Sequence, residues 1–175
     1  VLSSYMYNND EVINVIPIPS ELNCERAYIK LETDYPFENS FTYTIKAKKN
    51  FTFRVRIPGF AKNITVNGHP SSRGELVFKI NADECKEIHV LYETTPYFEK
   101  RPHDLNTVKC GSLVFSLPIK YEKKMYEYEK HGVERKFPYC DYEYIPVTEW
   151  NYAYCSTELC VNKNTVSDIP FSSEK

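Results

Sequence analysis

Two carboxylates, Glu143 and Glu149, lie in a segment crowded with aromatic rings: Tyr139, Tyr142, Tyr144, Trp150, Tyr152 and Tyr154. A carboxylate pair about 5 to 10 Å apart can cleave a glycosidic bond, and aromatic rings can stack on sugar faces. With 24 acidic residues in the chain some pair is always available, so the sequence assigns no catalytic acid or base. For Tyr142, Tyr144, Trp150 and Tyr152 two readings stand: a sugar-binding platform, or packing in a core or interface. If residues 141–145 form a strand, Tyr142 and Tyr144 share one face. His69, His89, His103 and His131 are scattered, with no His-x-x-x-His spacing and no nucleophile motif beside them, so neither a triad nor a zinc protease is indicated. Cys140, Cys155 and Cys160 with His131 can be drawn as a zinc site, but the paired C-x-x-C spacing is missing and no metal site is assigned.

All six cysteines (Cys24, Cys85, Cys110, Cys140, Cys155 and Cys160) are irregularly spread, which fits buried thiols in a reducing compartment as well as disulfides, and reduced, structural thiols are the preferred reading. That points to a cytoplasmic rather than a secreted location. Lys plus Arg number 22 against 24 Asp plus Glu, a net charge of -2, so no nucleic-acid or anionic-membrane partner is indicated. No run approaches a transmembrane length, and residues 1–4 have neither the basic nor the apolar region of a secretory signal. The chain opens without Met, and the expectation is a piece of a longer protein. Asn50-Phe51-Thr52 and Asn63-Ile64-Thr65 match glycosylation sequons and are read as ordinary turn asparagines.

The elements that would position these groups are strands. Composition favours them, with 15 Tyr, 10 Phe, 11 Pro and only 5 Gly. Residues 11–18 read as an edge or entry strand stopped by Pro17 and Pro19. Apolar and polar residues alternate over 26–33, 41–47, 51–57, 75–80 and 88–92. Lys48-Lys49-Asn50 reads as the turn of a hairpin joining 41–47 to 51–57. Asn67-Gly68 reads as a tight hairpin turn returning the chain to 75–80. Residues 110–117 read as a central strand, and 122–136 as a short helix or mobile loop. The sum is an all-β protein, an antiparallel β-sandwich of jelly-roll or immunoglobulin-like type with a loop-rich C-terminal extension. Its divisions are a sandwich core over 1–98, further strands and an aromatic-rich extension over 99–160, and a flexible tail over 161–175.

Six motifs in order carry a resemblance: Ile18-Pro19-Ser20-Glu21, Glu32-Thr33-Asp34-Tyr35-Pro36, Arg56-Ile57-Pro58-Gly59-Phe60-Ala61, Thr65-Val66-Asn67-Gly68, Gly111-Ser112-Leu113-Val114-Phe115 and Trp150-Asn151-Tyr152-Ala153. Together they resemble the C-terminal β-sandwich region of β-L-arabinofuranosidase-like glycoside hydrolases of the family 127 type. Where that family reads Arg-Gly-Pro-Leu-Val this chain has Cys110-Gly111-Ser112-Leu113-Val114, and Phe60 stands where it often has Trp. The resemblance implies a catalytic α/α barrel, absent here, that holds a zinc-bound cysteine nucleophile and a glutamate acid/base. The chain itself is then non-catalytic, with that barrel, a second copy or a glycan as its partners. The alternatives are a free-standing carbohydrate-binding module and an immunoglobulin-like adhesion domain.

Overall fold

The computed structural model describes residues 4–8, 10–72 and 74–162; the expected tail lies outside them from residue 163 onward. Two compact units divide after Val114, the second running over Phe115–Cys160. Among the described residues the first unit holds β1 (Tyr5–Asn8), β2 (Glu11–Asn14), β3 (Ser20–Asn23), β4 (Ala27–Glu32), β5 (Ser40–Ala47), β6 (Phe51–Arg56), β7 (Lys62–Val66), β8 (His69–Pro70), β9 (Glu75–Ile80), β10 (Cys85–Glu93), β11 (Pro96–Lys100), β12 (Asn106–Cys110) and all but the last residue of β13 (Leu113–Phe115). The second holds β14 (Tyr121–Tyr126), β15 (Tyr128–Lys130), β16 (Val133–Arg135) and β17 (Asp141–Pro146).

In the first unit a four-stranded sheet, β1-β2-β6-β9, and a six-stranded sheet, β3-β4-β5-β10-β7-β8, share one hydrophobic core. The alternation seen in the sequence supplies it. Val12, Phe51, Phe53, Val55, Leu76 and Ile80 point inward from the smaller sheet. They meet Ile29, Leu31, Phe41, Tyr43, Ile45, Ile88 and Val90 from the larger. This is the all-β, sandwich-like fold expected, because period-two strands with one apolar face must bury it against another sheet. A third sheet, β11-β12-β13, completes the unit.

Several local expectations are corrected. Residues 11–18 are not an edge strand: β2 lies between β1, antiparallel, and β6, parallel, and ends at Asn14 before either proline could interrupt a ladder. β5 and β6 do not form a hairpin, since β5 pairs with β4 and β10 while β6 pairs with β2 and β9. The turn at 48–50 instead carries the chain from one sheet to the other. Both strands are apolar on one face, and the crossing lets those faces meet, with the Tyr43 and Phe53 rings edge-on at 5.3 Å.

The Asn-Gly turn forms, with Asn67 at φ 49° and Gly68 at φ 79°, but its returning strand is β8 rather than 75–80. Pro70 has no amide to extend that ladder, and β9 crosses to pair with β6. Residues 110–117 are not one central strand: Gly111, at φ 60°, turns the chain between β12 and β13 and leaves Val114 and Leu117 exposed.

In the second unit, residues 122–136 are neither helix nor loop. β14 pairs with β17, and β15 pairs with β16 around a His131-Gly132 turn whose residues lie at φ 55° and 75°. Two consecutive positive φ values are what a two-residue hairpin requires.

Candidate functional site

The aromatic segment of the sequence becomes one strand of a two-stranded ribbon. Register sets Tyr121 opposite Pro146, Lys123 opposite Tyr144 and Met125 opposite Tyr142, so these six share a face. Tyr142 and Tyr144 do lie on one side, as the strand reading required. Their rings already have neighbours. The Lys123 ammonium sits 3.9 Å from the centre of the Tyr142 ring and 5.6 Å from that of Tyr144, a cation–π geometry. Tyr121 meets Tyr144 edge to face at 4.8 Å. The Tyr142 hydroxyl beside the Cys140 thiol has its pKa pushed up to about 12, chiefly by that hydrogen bond and then by desolvation.

Trp150 and Tyr152 lie beyond β17 in irregular chain, 64% and 65% exposed. The strand therefore gathers two of the four candidate rings on one face and leaves the other two outside it. Lys123, Tyr121 and Met125 were missed as neighbours of those rings. No hydrophobic alternation marks them in the sequence, because β14 is exposed throughout and lysine falls on both of its faces.

Glu143 is on the opposite face of β17 from the tyrosine pair, accepting a hydrogen bond from the Tyr126 hydroxyl at 2.8 Å. That contact raises the phenol's pKa. A carboxylate tied to a phenol on the far side of the ribbon is not placed to act with the ring face. Among the described residues no group of three or more His, Cys, Asp or Glu side chains could hold a metal ion. Cys140, Cys155, Cys160 and His131 are accordingly not gathered into one, and Cys140 is buried while Cys155 and Cys160 are exposed.

In the sandwich unit a groove of about 370 Å³ runs over β3 and β4, lined by Pro19, Ser20, Glu21, Lys30, Leu31, Glu32 and Thr33. Its ammonium is taken: Lys30 Nζ donates to Glu32 Oε1 at 2.7 Å, which raises the lysine's pKa. The groove holds a satisfied exposed ion pair rather than an acid/base couple. A second hollow, of about 450 Å³, lies at the β7–β8 hairpin and includes Asn63, whose amide donates to Glu93 at 2.6 Å.

Three of the ordered motifs converge at one corner of this unit. The Tyr35 and Ser112 hydroxyls are hydrogen-bonded. Phe60 meets Tyr92 edge-on at 6.3 Å, and Tyr92 stacks on Phe41 at 5.4 Å. A Cβ on Gly111 would come within 3.2 Å of Thr94 and 3.4 Å of Phe60. The Tyr92 hydroxyl is buried with no hydrogen-bond partner among the described residues, and burial raises its pKa, so it stays a neutral phenol. The corner fastens the β12–β13 turn to the sandwich; it presents no nucleophile.

The fold and these surfaces define a β-sandwich module with an aromatic ribbon appended. Residues 12–84, somewhat under half of the chain, match the family described as "Beta-L-arabinofuranosidase, GH127 middle domain". The matched stretch runs from β2 through β9 and so takes strands from both sheets. No curated protein matches.

Among solved structures, a GH127 β-L-arabinofuranosidase from Geobacillus stearothermophilus T6 is similar with a TM-score of 0.54 and 17% identity, over 71% of this chain and 25% of that one. Another, described as a glycoside hydrolase, is similar with a TM-score of 0.54 and 15% identity, over 88% of this chain and 32% of that one. At such identity the likeness is one of fold. The chain spans about a quarter to a third of the length of those two proteins.

Proposed function

We propose that this chain is the non-catalytic β-sandwich module of a glycoside hydrolase of the β-L-arabinofuranosidase type, supporting or oligomerising a catalytic α/α barrel in the whole protein. The observation that carries the reading is the match over residues 12–84, which takes in strands of both sheets rather than one short motif. The similarity of fold to two much longer proteins, one a β-L-arabinofuranosidase and the other described as a glycoside hydrolase, supports the same reading. The zinc and the nucleophile that the resemblance implies would come from the barrel. Among the described residues no group of three or more His, Cys, Asp or Glu side chains meets, and that supports assigning the zinc to the barrel. The parent protein would release terminal arabinofuranose or a related sugar from plant-type glycans.

The test is hydrolysis of an aryl β-L-arabinofuranoside. The whole protein should turn it over and lose that activity when the sandwich is deleted, while the 175-residue chain alone should be silent. Turnover by the chain alone would overturn the reading. So would glycan binding by the chain that disappears in Trp150→Ala, which would make it a carbohydrate-binding module instead.

A further inference from the structure

The smaller sheet ends at β9, six residues long and paired on one side with β6. It is the longest edge strand of the two sandwich sheets. Natural edges are usually blunted by proline, by shortness or by a covering segment. β8 follows that rule, with two residues ending in Pro70. β9, reading Glu75-Leu76-Val77-Phe78-Lys79-Ile80, has no proline, and among the described residues no strand occupies its outer side.

The phase of its backbone can be worked out. β6 and β9 pair with Arg56 opposite Glu75 and Phe51 opposite Ile80. Ile57 and Gly74 continue that register, and the Ile57 N–H donates to the Gly74 carbonyl at 2.9 Å. That makes them a hydrogen-bonded pair, and such pairs alternate along an antiparallel ladder. Val55/Leu76, Phe53/Phe78 and Phe51/Ile80 are then hydrogen-bonded as well. Leu76, Phe78 and Ile80 direct their amides and carbonyls to β6, which leaves those of Glu75, Val77 and Lys79 facing outward.

We propose that two copies of this chain pair through β9, antiparallel and in the register that sets Val77 opposite the partner's Val77. In that register Glu75, whose Oε2 is held by Arg54 of β6 at 2.6 Å, turns its other carboxylate oxygen to the partner's Lys79, and Lys79 meets the partner's Glu75 in the same way. All three outward-facing residues form hydrogen-bonded pairs, so no free amide or carbonyl between 75 and 79 is wasted. Val77, 51% exposed in the single chain, is covered at the axis. On the inner face Leu76 meets the partner's Phe78, which carries the sandwich core across the axis. Shifting the register by two residues in either direction loses the charge pairing and one of the three hydrogen-bonded pairs. The strand is thus self-complementary in charge, in hydrogen-bond phase and in apolar surface, which is what an isologous two-fold contact needs. The second copy deepens the oligomerising role proposed above and rests on that reading only for its purpose. Association is measured without any enzyme assay, so either reading can fail alone.

Sedimentation velocity of the 175-residue chain over a concentration series should show a monomer–dimer equilibrium. Val77→Pro removes an outward amide and fixes φ, which an edge strand accommodates where the N–H faces solvent, and should give a monomer with an unchanged far-ultraviolet spectrum. Lys79→Glu leaves the backbone alone and sets like charges opposite each other twice, which should weaken the dimer by about tenfold or more. Glu75→Lys should weaken it at least as much; it also breaks the Arg54 ion pair within the chain, so an unchanged far-ultraviolet spectrum must accompany its loss of association. A mixture of these two charge variants restores both opposite-charge contacts and should recover wild-type association as a heterodimer. A wild-type chain that stays monomeric throughout, a Lys79→Glu chain that dimerises as well as wild type, or a mixture that associates no better than its components would each overturn the proposal.

Discussion

Removing one oxygen atom from the sandwich core tests whether a buried polar knot holds the smaller sheet in register. Asn14 is 1% exposed and Tyr43 fully buried. The Tyr43 hydroxyl donates to Asn14 Oδ1 at 2.9 Å, and Asn14 Nδ2 donates to the carbonyls of Ser4 at 3.2 Å and Ile16 at 3.3 Å. The knot therefore joins β5 of the larger sheet to β2 of the smaller, and to the chain on either side of β1 and β2. Tyr43→Phe fills the same space but strands Asn14 Oδ1 without a donor, and an orphaned buried acceptor costs about 1–3 kcal/mol. Asn14→Ala strands the Tyr43 hydroxyl and opens a small cavity, for about 2–4 kcal/mol. Ser4's carbonyl is not orphaned, because Val15 N also donates to it at 2.9 Å. Once Asn14 is gone the hydroxyl has nothing to lose, so the double variant should cost no more than Asn14→Ala alone. Urea unfolding followed by far-ultraviolet circular dichroism reads this directly. With a slope of about 1–3 kcal/mol per molar urea, Tyr43→Phe should lower the midpoint by about 1 M. A shift under about 0.3 M, or a double variant whose cost is the sum of the singles, would refute the account.

Gly111 should tolerate a side chain less well than Gly68. Both have positive φ, but a Cβ at Gly68 meets nothing within 4 Å, whereas at Gly111 it would press on Thr94 and Phe60. Gly68→Ala should cost about 1–2 kcal/mol from backbone strain alone and Gly111→Ala roughly 1 kcal/mol more, measured by the same urea titration. Glu84 accepts the Asn81 amide at 2.9 Å and the Lys86 ammonium at 3.1 Å. These contacts, the backbone one foremost, hold its carboxyl below the ordinary value of 4.5. Its contribution to stability is present above that value and is lost as pH falls through the lower, folded one. The difference in unfolding midpoint between wild type and Glu84→Gln should therefore be constant above about pH 5 and shrink below it; a difference that stays flat into acid would contradict this.

Which residues face inward was readable from the sequence, and which sheet they face inward from was not. Alternation in 41–47 and 51–57 identifies Phe41, Tyr43, Ile45, Phe51, Phe53 and Val55 as core, and all six are buried. A hairpin and a crossing between sheets satisfy that alternation equally, so the turn at 48–50 could not decide between them. The Asn67-Gly68 turn was readable because positive φ is a local demand. Its partner strand was not, because partner choice depends on where the face carrying Leu76 and Ile80 finds its core. Residues 121–136 concealed their strands for a different reason. β14 has no buried residue, so no hydrophobic period is imposed on it, and charges fall on both faces.

The corner at Gly111 shows why scattered short motifs can carry more information in order than singly. Tyr35, Phe60 and Ser112 belong to three motifs far apart in the chain, yet each constrains another. Phe60 occupies the space next to Gly111, so a side chain there would need Phe60 or Thr94 to move. Ser112 supplies the hydroxyl that Tyr35 bonds. Tyr35 in turn packs against Phe41 at 5.8 Å, and Phe41 against Tyr92. A proline at 112 could not make that bond, and the Tyr35 hydroxyl would need another partner. The bond between Tyr35 and Ser112 and the close approach of Gly111 to the ring of Phe60 thus act together on the turn that closes the third sheet onto the sandwich.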